Sequence, residues 1–147
     1  MRFFKFATVS LVMIFFLMLG IAVSDAYAGN YLGEFCWQTE DEGIVKLAVT
    51  DMGNGHYLLN GRIIDPVNET TQACYGSAEI VADKVYMILT TGGSYPTETF
   101  FCTGPGILDL GTLNGYGESL NIFYDKDTQQ TSITYDTVTL TFIPCPE

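Results

Sequence analysis

Basic residues are scarce in this chain: six lysines and arginines stand against 17 acids, for a formal net charge of −11. Arg2 and Lys5 precede the first long apolar run, so the rest of the chain has only Lys46, Arg62, Lys84 and Lys126. Binding to nucleic acid or to an anionic membrane needs cations that displace counterions, and this composition argues against both as partners. A basic partner remains compatible. Histidine is rarer still, with His56 alone, beside a glycine-rich turn; Ser–His or Cys–His catalysis would need it paired with a nucleophile, and a His-based metal site would need its other ligands from carboxylates. No C-x-x-C occurs, which argues against a zinc site or a thioredoxin-type redox pair. No calcium-loop spacing appears among the carboxylates either, and nothing in the sequence asks for a cofactor or a metal. Beyond residue 28 no apolar stripe of helical period is present.

Residues 1–28 read as a signal peptide. Arg2 and Lys5 make a basic head, Phe6 to Val23 carries no charge, and Ala26-Tyr27-Ala28 gives the small-x-small pattern of a cleavage site. No Lys/Arg cluster follows to act as a stop, so no stable membrane anchor is expected after cleavage. The expected location is secreted or periplasmic. Residues 29–147 then form a single domain, long enough to bury roughly two-thirds of its unfolded surface. Cys36, Cys74, Cys102 and Cys145 all lie in it, an even number that reads as two disulfides in an exported domain.

The remaining pattern is that of strands. "GIVKLAVTD" puts Val45, Leu47 and Val49 on one face, "MGNG" supplies a hairpin turn, and "HYLLNGRIID" resumes the alternation. "ADK" is a tight connection between "ACYGSAEIV" and "KVYMILTT"; "GGSYP" and "GPG" read as further breaks. "ESLNIFYD" turns through "KDTQQ" into a last strand, whose alternation slips near Tyr135-Asp136 and suggests a bulge or corner. The sum is an all-β chain, an antiparallel up-and-down meander of 8–10 strands closing into a small barrel, since closure removes both exposed edges. In the first strand Gly33, Phe35 and Trp37 share one face, and Cys36 the other. In the last, Cys145 falls opposite Val138, Leu140 and Phe142. The two cysteines become neighbours only if the ring closes, so the preferred pairing is Cys36–Cys145 and Cys74–Cys102.

Chemistry-bearing residues are few. His56 at a hairpin end reads as solvated, and the acids of "TEDEG" and "DKDTQ" as charged turn tips. Glu79 and Asp109 fall within strand-like segments and carry the only hydrolase reading, as inward acids of raised pKa; no catalytic residue is assigned. Asn68 begins an N-x-T sequon. Aromatics are the richest feature. Among those on strands, Trp37, Tyr57, Tyr75, Tyr86 and Tyr124 are the candidates for lining a pocket, because an inward tyrosine brings a hydroxyl that needs a partner.

With a leader, then Gly33 and Trp37 in "GEFCW" on the first strand and a hairpin meander of this length, the chain resembles the calycin group of lipocalins and avidin-like barrels. Those carry G-x-W early in that strand, where this chain has a four-residue spacing. The resemblance implies a barrel, a tryptophan at its closed end and a small apolar ligand inside. The expected function is therefore a non-enzymatic exported binding protein. The chain is also similar, in size, export and disulfides, to small periplasmic barrels that inhibit c-type lysozyme or secreted metalloproteases. That implies the alternative of an acidic inhibitor or interaction module for a basic extracellular enzyme.

Overall fold

The computed structural model describes residues 29–66 and 69–146. The expected signal peptide and the Asn68 sequon lie outside the described residues. Eight strands follow in order: β1 (Asn30–Thr39), β2 (Ile44–Gly53), β3 (His56–Asp65), β4 (Thr70–Val81), β5 (Lys84–Ser94), β6 (Glu98–Asp109), β7 (Gly115–Asp125) and β8 (Gln130–Ile143). Each pairs antiparallel with the next, and β8 returns to β1, closing the meander into a barrel.

Local sequence explains the turns. Asn54 and Gly55 take positive φ (56° and 77°) between Gly53 and His56, the backbone twist that a two-residue hairpin demands. Ala82 and Asp83 make the equally short β4–β5 turn, with Ala82 at φ 56°. The strand alternation is the expected one: Val45, Leu47 and Val49 are buried while Lys46 faces out to Glu34 at 2.8 Å. Inward residues from successive strands (Trp37, Leu47, Leu59, Ala78, Met87, Leu108 and Leu140 among them) form one core cluster. Removing these side chains from water is the main stabilising contribution, about 2–3 kcal/mol for a fully buried Leu such as Leu47.

One end of the barrel is closed by the β2–β3, β4–β5 and β6–β7 turns. There the Trp37 indole N–H donates to the Leu113 carbonyl oxygen at 2.7 Å, and its ring packs near Phe35 and Phe142. Leu113 sits in a turn held by Asp109. One Asp109 oxygen accepts from the Gly111 and Thr112 N–H groups and the Thr112 hydroxyl, and the other accepts from Lys84 Nζ at 3.1 Å. The lysine, then the Thr112 N–H, hold the Asp109 carboxyl below its ordinary value of 3.8.

Two segments differ from the sequence reading. "GPG" is no break: β6 runs unbroken through Gly104-Pro105-Gly106. Pro105 has no N–H to donate, but the register between β6 and β7 is the same on either side of it. The Tyr135-Asp136 slip is no bulge either, since β7 and β8 keep one register from Asp125–Gln130 to Gly115–Leu140. The alternation fades there because residues 130–137 are exposed on both faces and no core selects their pattern.

The closing seam is short. β1 meets β8 only over Cys36–Thr39 and Leu140–Ile143, and immediately beyond it Cys36 and Cys145 form a disulfide with Cα atoms 5.1 Å apart. This is the expected first pairing, and it is compatible with an extracellular or periplasmic location. Because the bridge ties residues 109 apart, replacing both cysteines by serine should lower stability by about 3–5 kcal/mol in denaturant titration. Asp109 gives a second expectation. Its lowered pKa means stability that is full above 3.8 and lost as pH falls towards the folded-state value. Acid titration should therefore cost the wild type more stability than Asp109→Asn, which is already less stable at neutral pH and keeps only the loss from other lowered carboxyls such as Asp125.

Candidate functional site

Strand register decides which sequence candidates face the interior. Tyr75, Tyr86 and Tyr124 lie at outward positions and are 58%, 45% and 40% exposed. Trp37 and Tyr57 do face inward, but Trp37 belongs to the packed core and Tyr57 packs against it. None of the five is among the residues lining the cavity described below. Glu79 is exposed on the outer face, opposite His56 and Tyr86, and Asp109 serves the β6–β7 turn. The two acids of the hydrolase reading therefore do not meet in the interior.

The interior is instead open in its other half, where a cavity of about 820 Å³ is entered among the β1–β2, β3–β4 and β5–β6 connections. Its floor is apolar, made by Val45, Ile63, Leu89, Val138 and Leu140. It exists because one wall lacks side chains. Gly104 and Gly106 on β6 face Gly117 and Ser119 on β7, where larger residues would fill the space. Gly104 admits nothing larger, as a Cβ there would overlap the Glu118 carbonyl oxygen. The sequence signal for this wall was the period-two spacing of small residues in G-x-G and G-x-G-x-S, which looks like turn chemistry when read alone.

Polar groups stand above the floor. Asn121 Nδ2 donates to Asp136 Oδ2 at 2.7 Å and to Ser119 Oγ at 3.1 Å, fixing three side chains on the β7–β8 wall. Thr91 donates to the Ala73 carbonyl oxygen at 2.7 Å. At the mouth an aromatic group forms from Tyr95 stacked on Phe100 (centroids 5.8 Å apart), with Phe123 6.3 Å beyond. The ionisable side chains of the lining include Glu40, Asp41, Asp65, Glu98 and Asp136, and no lysine, arginine or histidine. Lys126, on the β7–β8 connection, spends its ammonium on Ser94 Oγ and the Tyr95 carbonyl oxygen.

The second expected disulfide is absent: Cys74 and Cys102 are free thiols. Both are level with Thr91, but β5 lies between β4 and β6. Two strand spacings are roughly 9–10 Å, more than the ~7 Å that a disulfide spans between Cα atoms. Burial, with a smaller contribution from Cys102, pushes the Cys74 thiol up to about 11. Burial also raises Cys102, against a lowering hydrogen bond with Ser119. Neither is a ready nucleophile at neutral pH.

No family model matches the chain, and no curated protein is significantly similar to it.

Alkylation followed by mass spectrometry checks the thiols. The native, unreduced protein should label slowly at pH 7 and faster as pH rises. In denaturant without reductant Cys74 and Cys102 should label fully; no labelling there would show a second bridge.

Proposed function

We propose that the chain is an exported, non-enzymatic binding protein that holds a small amphiphile carrying a positive charge. The observation that carries this reading is the cavity: an apolar floor, an aromatic mouth, and a lining with carboxylates but no cationic side chain. Apolar parts of a ligand would gain by leaving water over the floor, and an ammonium group would find both carboxylates and ring faces at the mouth. The calycin resemblance, a barrel with an interior ligand, supports the same reading, as does the leader-like start. A second reading, an interaction module for a basic extracellular protein, rests on the net charge of −11 and would give salt-sensitive binding to a protein such as c-type lysozyme.

Isothermal titration and native mass spectrometry with a long-chain amine and a carboxylate of the same chain length test the proposal. The amine should bind saturably and the carboxylate much more weakly, with Glu98→Gln plus Asp136→Asn weakening the amine several-fold, roughly 1 kcal/mol. Equal binding of both would remove the charge preference, and no saturable binding of either would sink the ligand reading.

A further inference from the structure

The barrel closes on part of β8 only. β8 starts at Gln130, but its pairing with β1 spans only Leu140–Ile143. Above that seam β8 has β7 on one side and, among the described residues, no strand on the other. The Phe142 N–H points to the β7 side, where it donates to Asn114 Oδ1 at 2.7 Å. Backbone direction alternates along a strand, so Thr131, Ile133, Tyr135 and Thr137 turn their N–H and C=O groups to the open side. This strand edge has only one of the usual protections, a single charge turned inward. It has no lysine, no proline and no bulge, and the one charge in residues 130–139, Asp136, turns inward to Asn121.

The outer face beside this edge is apolar. Phe101, Ile122 and Ile133 lie in one row across β6, β7 and β8, and Leu120 and Tyr135 in the next. Ile133 is 57% exposed and Tyr135 79%. On a molecule of net charge −11 a second copy meets the least repulsion along this strip, where the outer-face charge beside the edge is Glu118, opposite Thr137.

We propose that two copies of the chain join through this edge, β8 against β8 antiparallel about a two-fold axis at Thr134. That register uses all four open residues: Ile133 pairs with Tyr135 of the other copy, and Thr131 with Thr137. Pairs of this kind exchange both backbone hydrogen bonds. It also sets Ile133 beside Tyr135 on the outer face, an aliphatic–aromatic cross-strand contact. Asp136 then faces Ser132 of the other copy, not a second carboxylate. The interface is isologous and closes at two copies, so it does not propagate into a fibre.

Sedimentation and light scattering of the purified chain over a concentration series read the outcome. A dimer should form, and Ile133→Lys should raise its dissociation constant by about tenfold or more, the equivalent of roughly 1.4 kcal/mol. Tyr135→Pro removes an N–H that points away from β7 and should give a folded monomer, checked by circular dichroism. Thr134→Cys, at the axis, should yield a disulfide-linked dimer on mild oxidation, whereas Thr139→Cys should not. A wild-type monomer throughout the series would overturn the proposal. So would a dimer that persists in Ile133→Lys, or one that Thr139→Cys links and Thr134→Cys does not.

Discussion

The join between the first and last strands is the constraint on which the rest depends. Seven of the eight strand contacts are made between sequence neighbours, each helped by a short turn that brings its partners together. The eighth has no such help. It has four residue pairs against a long loop-closure cost, and the covalent link at Cys36–Cys145 offsets part of that cost. Trp37 stands at the same place and joins three parts of the ring, β1 through its backbone, Phe142 of β8 through its ring, and the β6–β7 turn through its indole N–H.

A closed ring of this size can be filled or left open, and side-chain volume makes the choice. The half around Trp37, Leu47 and Leu108 is packed. The other half loses its filling where glycine replaces larger residues on β6 and β7, and polar and acidic groups enter from the loops. Cavity and core are thus two outcomes of one alternating pattern. What differs is the size and polarity of the inward residue, not the strand that carries it.

Much of the architecture was legible in the sequence because it follows from local rules. The Asn54-Gly55 turn, the Val45/Leu47/Val49 face, the inward Phe35 and Trp37 and the Cys36–Cys145 closure all rest on period-two alternation or turn chemistry. The candidate site was legible only in part. Tyr75, Tyr86 and Tyr124 look the same in sequence whether they point in or out, and their strands tolerate aromatics on the solvent side. Gly104-Pro105-Gly106 carries a turn signature, yet here close approach of β7 and an empty wall require the glycines. Cys74 and Cys102 could be matched by number but not by distance, because the intervening strand becomes visible only once the register is known.

The hydrogen bond from Trp37 to Leu113 has a consequence for how the molecule comes into being. Its partners are 76 residues apart, so the indole cannot be satisfied while only neighbouring hairpins have formed. Assembly by sequential hairpins leaves the first strand waiting for the seventh and eighth, the arrangement of high contact order that makes β-barrels slow to fold. The surroundings of the single tryptophan are thereby complete only once the first strand, the last strand and the β6–β7 turn have met.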